Sequence, residues 1–195
     1  MLPPPHYFRY SAEDIAEFYR QVAEALNGPI LIYNLPVFTN PVEPEWTARL
    51  VAEVPNIVGM KDSSGSLDTL TVLRNQGAEI RWMGNNCKIA EALTLGLANG
   101  AISGIAGIFP EVVGRLFDAY RDGDDLTEAD SALQEIVNRI DQLPTPWALK
   151  VFAACRGLGT SGYASAVSSE RRNELADLRK WFERWAEKHS LLSVA

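Results

Sequence analysis

Apolar residues Ile15, Phe18, Tyr19, Val22 and Leu26 recur at helical spacing, and Ser11 followed three residues later by Asp14 has the form of a capped N-terminus. Asn27-Gly28-Pro29 ends this predicted helix. The pattern then changes period. Ile30-Leu31-Ile32-Tyr33 is a short continuous apolar run of the kind found in a strand buried on both faces. A proline-rich loop over 36–44 follows, and Trp46, Leu50, Val51 and Val54 restore helical spacing over 45–54. The unit is strand, loop, helix.

That unit recurs. The pattern predicts a strand over 57–61, a loop at Ser63-Ser64-Gly65-Ser66 and a helix over 67–76. It then predicts a strand over 80–83, a turn at Gly84-Asn85-Asn86 and a helix over 88–97. Ala101-Ile102-Ser103 makes a fourth strand, before a loop over 104–109 and a helix over 110–120 with Pro110 at its first position. Alternating strands and helices with short loops imply a parallel sheet with helices on its faces. Beyond Asp122-Gly123-Asp124-Asp125 the strands stop, and 126–143, 147–158 and 168–188 read as helices.

A chain of 195 residues with 47% apolar residues can bury a sizeable core in one or two domains. Its 18 Lys and Arg against 25 Asp and Glu give a formal charge of -7, which opposes attraction to nucleic acid or to an anionic membrane. Cys87 and Cys155 lie far apart and only two histidines accompany them, so zinc and redox-motif readings have little support. Both are expected to be buried or free thiols in a reducing compartment. No apolar run approaches the ~20 residues of a membrane helix, and Met1-Leu2-Pro3-Pro4-Pro5-His6 lacks the regions of a signal peptide. The expected location is the cytoplasm. The glycine-rich run over 100–107 fits neither a phosphate loop nor a dinucleotide fingerprint.

In parallel α/β folds chemistry collects at the C-terminal ends of strands, which here carry Tyr33-Asn34, Lys61-Asp62, Gly84-Asn85-Asn86 and Ser103. An ammonium continuing a buried strand must be paired or lose its proton, and a neutral amine attacks ketones. Lys61 is therefore a candidate Schiff-base nucleophile. The competing reading lays its stem along the rim with its head in water or paired with Asp62. Lys88, Lys150, Lys180 and Lys188 fall on predicted helices and read as solvated surface charges. Tyr33 can relay protons as a general acid and base, or can equally be a core tyrosine with its hydroxyl satisfied at the rim. Gly84 and Ser103-Gly104 could admit a ligand close to the backbone, although glycine at a strand end also serves simple turn chemistry.

Tyr33-Asn34-Leu35-Pro36, followed by Gly59-Met60-Lys61-Asp62-Ser63-Ser64-Gly65, resembles the Y-N-x-P and G-x-K-[DE]-x-[ST]-G signatures of the dihydrodipicolinate synthase and N-acetylneuraminate lyase family. Pro5-His6-Tyr7-Phe8 resembles the end of that family's fourth strand, Gly84-Asn85-Asn86 its seventh-strand turn and Gly100-Ala101-Ile102-Ser103 its eighth strand. The resemblance implies the C-terminal half of a TIM (β/α)8 barrel over 1–125 and a helical extension over 126–195. It implies an aldolase-type lyase in which Lys61 forms an imine with pyruvate or another 2-oxo acid. Tyr33 would shuttle protons, Tyr7 would join a tyrosine relay shared between subunits, and the carbonyl of Ile102 and Gly84 would face the substrate. No cofactor or metal is implied, and a homo-oligomer is.

The chain departs from the family in two places. A complete barrel takes about 250 residues, and the half before the fourth strand, with its carboxylate-binding G-T-T-G-E segment, has no counterpart here; Gly159-Thr160-Ser161-Gly162 is not a substitute. An open half-barrel exposes strand edges and an unfilled face. The expectation is a fragment of a longer protein, with a self-completing oligomer or an inactive remnant that acts through partner binding as the alternatives. The second departure is Phe38, where true dihydrodipicolinate synthases carry an arginine for the second substrate's carboxylate. A phenyl ring cannot replace that guanidinium, so a sugar-acid aldolase is at least as well supported.

Overall fold

The computed structural model describes residues 1–189 and 191, and the chain divides into two compact units, Met1–Ser103 and Gly104–Ala195. In the first unit α1 (Ala12–Ala25) precedes β1 (Ile30–Asn34), α2 (Pro44–Glu53), β2 (Ile57–Asp62), α3 (Asp68–Asn75), β3 (Ile80–Met83), α4 (Ile89–Thr94) and β4 (Gly100–Ala101). Ser11 caps α1 by accepting from the Asp14 N–H, and the Asp14 carboxylate answers by accepting from the Ser11 N–H. Proline opens α2 at a position whose N–H needs no partner.

All four strands are parallel and lie in chain order, β1-β2-β3-β4. A doubly wound sheet reverses its strand order at a switch point, whereas a barrel adds each strand beside the last. The order is that of a barrel wall. One face of the sheet is dry: Ile30, Ile32, Ile57 and Met60 join Ile15, Tyr19, Leu50 and Leu73 in a buried cluster with the helices. The register slips between Ile30 and Leu31, pairing Ile30 with Ile57 and Leu31 with Gly59, so Val58 is an extra residue in β2. Gly59 permits this bulge. Its φ is +153°, and a Cβ there would stand 2.0 Å from the carbonyl oxygen of Ile80.

Leu2 lies parallel beside β1, its N–H donating to Leu31 and its carbonyl accepting from Tyr33. The Tyr19 hydroxyl also donates to that carbonyl at 2.9 Å. The residue paired with β1 is therefore Leu2, while Tyr7 sits in a bend at φ +75°.

The second unit holds α5 (Gly104–Ile108), α6 (Pro110–Asp122), α7 (Thr127–Ile140), α8 (Thr145–Cys155) and α9 (Ser169–Lys188). Phe109, Phe152 and Phe182 form its aromatic centre, with ring centroids 5.2 to 5.7 Å apart. Arg156 and Glu111 make an ion pair beside them.

Three expectations are corrected. The loop over 104–109 is largely helix α5, because Ile105 and Ile108 stand three apart and are both buried. The fourth strand is only Gly100–Ala101, although the Ile102 N–H still donates to the Met83 carbonyl at 3.0 Å. The helix over 88–97 narrows to Ile89–Thr94 after a 3-10 turn at Asn86–Lys88. Of the two cysteines, neither in a disulfide, Cys87 is exposed and Cys155 half-buried. Among the described residues no helix is long and apolar enough to cross a membrane.

Candidate active site

Parallel pairing puts register partners on the same face of a sheet. Tyr33 pairs with Lys61, Lys61 with Trp82, and Trp82 with Gly100, so these residues form one row on the face opposite the helices. The next row, Asn34, Asp62, Met83 and Ala101, turns the other way. Alternation thus separates the row holding Tyr33 and Lys61 from a row buried toward the helices.

Lys61 is 7% exposed and, among the described residues, forms no ion pair. Its Nζ lies 3.9 Å from the centroid of the Tyr33 ring, where the face of the phenol attracts a cation. Pairing with Asp62 does not occur, because the two side chains leave the strand on opposite faces. The Asp62 carboxylate instead accepts from the Asn34 amide at 3.2 Å and the Ser64 N–H at 2.9 Å through one oxygen. Its other oxygen is buried without a partner among the described residues. Burial pushes the Asp62 carboxyl above the usual carboxylate range; the bonds from Ser64 and Asn34 oppose the shift and the charge of Asp68 adds to it.

Gly84 follows β3 and touches the same site. Its N–H donates to the Asp62 carbonyl at 2.6 Å, and a Cβ there would stand 2.6 Å from Cε of Lys61 and 2.0 Å from Oγ of Ser63. Only glycine leaves the lysine its present path. On the other flank the Trp82 indole occupies the space beside Gly100 that a side chain would fill. Lys61, Tyr33 and Gly84 are therefore brought together, and half-buried Ile102 follows β4 with its N–H on Met83, the residue before Gly84.

Tyr7 and Phe38 are elsewhere. They line an open surface groove of about 610 Å³ with Phe8, Tyr10 and Asn40, and neither Lys61 nor Tyr33 contributes to it. Tyr7 is 90% and Phe38 73% exposed. Of the remaining lysines, Lys88, Lys180 and Lys188 pair with Glu91, Asp177 and Glu135, and Lys150 donates to the Gly162 carbonyl.

Sequence reasoning placed Asn34 and Asp62 at the strand ends but missed their bond to each other, and it missed Trp82 altogether. Each stands next to, or in register with, a residue it identified, so the two-residue alternation of strands was the available signal.

The chain as a whole has relatives among known proteins. Residues 1–180 match the Dihydrodipicolinate synthetase family. The chain is 28% identical, over 89% of its length, to a probable 2-dehydro-3-deoxy-D-pentonate aldolase, YjhH, of Escherichia coli K12. It is 34% identical, over 62% of its length, to a 4-hydroxy-tetrahydrodipicolinate synthase of Azoarcus sp. BH72. The crystal structure of YagE, a prophage protein of the dihydrodipicolinic acid synthase family from E. coli K12 in complex with pyruvate, superposes with a TM-score of 0.82 at 25% identity over 94% of this chain. The matches span 60%, 41% and 64% of those three proteins, so the chain corresponds to less than two thirds of each. Its sheet is accordingly part of a TIM barrel. With the family model matching residues 1–180, nearly the whole chain, the protein belongs to the dihydrodipicolinate synthetase family.

Proposed function

We propose that this chain carries the imine-forming centre of a carbon-carbon lyase acting on pyruvate or a related 2-oxo acid. The observation that carries the reading is Lys61: a buried lysine with no ion pair among the described residues, on the face away from the helices, in contact with a tyrosine ring. Once deprotonated, its amine adds to the C2 carbonyl, and loss of water leaves a protonated imine. That imine accepts the electron pair of the bond from C3 to C4, so the bond breaks, an aldehyde leaves and an enamine remains. In the other direction C3 of the enamine attacks an aldehyde. The Tyr33 phenol is the group that passes protons to and from the reacting oxygen.

By sequence, Phe38 in place of the guanidinium of the family's synthases favours a sugar acid over aspartate semialdehyde as the second substrate; the ring itself lies in the surface groove and not beside Lys61. Relatives of both kinds are found among the matches. In this reading residues 1–125 correspond to the end of strand 4 through helix 8 of a barrel and 126–195 to a helical extension. The exposed aromatic groove of Tyr7, Phe8, Tyr10 and Phe38 supports association between copies, with Tyr7 offered to a neighbouring site. Unbridged thiols suit a cytoplasmic setting.

Borohydride reduction in the presence of pyruvate tests the centre. It is expected to add one three-carbon unit to Lys61, located by peptide mass spectrometry and absent from Lys61→Ala. A folded sample that gains no adduct on Lys61 overturns the proposal in favour of an inactive half-barrel acting through its partners.

A further inference from the structure

Tyr33 and Lys61 are each followed by a buried polar residue, and those followers are bonded to one another. Asn34 is 4% and Asp62 0% exposed, and they are register partners on the helix-facing side of β1 and β2. The Asn34 amide donates to Asp62 Oδ1, and Asn34 Oδ1 accepts from the Val42 N–H at 3.1 Å, tying in the loop that carries Phe38. Asp62 Oδ1 also takes the Ser64 N–H, while the Asn34 carbonyl takes the Ser63 N–H at 2.9 Å. Two strand ends and two loops therefore converge on one pair of side chains.

The pair is an expensive way to hold strands together. Among the described residues Asp62 Oδ2 is buried without a partner, and its face of the sheet carries Ile32, Met60 and Met83. A half-satisfied buried carboxyl costs stability that two well-packed apolar side chains would not. What an apolar pair would lack is direction. Side-chain hydrogen bonds fix where the strand ends stand relative to each other, and one residue back on each strand stand Tyr33 and Lys61.

We propose that Asn34 and Asp62 are positioning residues, a buried clamp whose hydrogen bond holds the Lys61 amine over the Tyr33 ring from behind the sheet. Its consequence for imine formation rests on the reading of Lys61 given above; the clamp geometry does not. The raised titration of Asp62 agrees with it, since Oδ1 accepts both bonds whether Oδ2 carries a proton or not.

The test reads Lys61 directly. In a sample with ¹³C-labelled lysine, the Lys61 methylenes held against the Tyr33 ring give a ring-current-shifted signal, assigned by its loss in Tyr33→Leu. Asp62→Leu and the double variant Asn34→Leu/Asp62→Leu are expected to lose that shift. Asp62→Asn, which keeps an acceptor for Asn34 and Ser64, is expected to retain it. Leu50→Ala, a core deletion in the same unit, is expected to lower the unfolding midpoint and leave the shift in place. The double variant guards against a misfolded single one, because it leaves neither side chain buried without the other, although the Val42 and Ser64 N–H groups lose their acceptors. A folded double variant with the parental Lys61 signal overturns the proposal, as does equal loss of the signal in Leu50→Ala. Pyruvate trapping on the same samples separates the two readings. If the parent forms no adduct, the Schiff-base reading fails and the lysine spectrum still decides the clamp.

Discussion

Adding one methyl group at Gly84 puts the candidate site under a load that can be worked out in advance. The Cβ of Gly84→Ala would meet Lys61 Cε at 2.6 Å, Ser63 Oγ at 2.0 Å and the Asp62 carbonyl oxygen at 3.2 Å. Ordinary contact needs 3.4 Å or more. Ser63 can turn to another rotamer at a cost of about 1 kcal/mol. The Asp62 carbonyl cannot retreat, because it accepts the Gly84 N–H itself. Lys61 must therefore yield, by roughly an ångström at Cε if the contact is to return to the van der Waals minimum. Overpacking of this kind costs about 1–3 kcal/mol of stability, and misplacing a reacting group by about an ångström lowers its rate by up to roughly 10²-fold. Urea unfolding reads the first effect, and the initial rate of pyruvate trapping on Lys61 under borohydride reads the second. A Gly84→Ala protein as stable as its parent and trapped at the parental rate would refute the close approach of β3 to Lys61.

Other consequences follow from single contacts. Because the folded Asp62 carboxyl titrates above its unfolded value, the folded state keeps a proton that the unfolded chain has released. The related stability is complete below the unfolded carboxylate range and is lost as pH rises through the folded value. Asp62→Asn removes that loss, so its urea midpoint relative to the parent should climb from acid pH toward neutrality; a falling difference would contradict the assignment. Ser11→Ala removes the cap on α1 and should cost about 1 kcal/mol in thermal or urea unfolding, with no change in Lys61 trapping. Phe152→Ala opens the aromatic centre of the second unit, where the ring is fully buried, and should cost about 3–5 kcal/mol by denaturant titration.

The strands and most helices were legible because each apolar run has one period and a clear stop. Ile80–Met83 coincides with its predicted span, and Ser11 with Asp14 caps α1 as its spacing implies. Helix α5 was not, since Gly-Ile-Ala-Gly-Ile contains two loop-forming residues and its two buried isoleucines are too few to display a period. The bond between Asn34 and Asp62 escaped for another reason. Each is a polar residue ending an apolar run, which reads as the beginning of a loop, and their bond joins positions 28 residues apart. Only the register brings them together.

The direction in which Lys61 points was the part that the hydrophobic pattern would have given wrongly. Strict alternation from Ile57 puts residues 57, 59 and 61 on one face. Since Ile57 packs against the helices, Lys61 would be driven into that dry layer with it. The extra residue at Val58 resets the phase, so that Ile57 and Met60 share the helix side and Lys61 turns to the other. A one-residue slip exchanges every side chain beyond it between the faces of a strand. The orientation of Lys61 thus depends on Gly59 two residues earlier, where a close approach to Ile80 tolerates no side chain and the chain can take the turn of phase. The strand-end position and the motif single out Lys61, but its place on the face away from the helices is the work of the bulge.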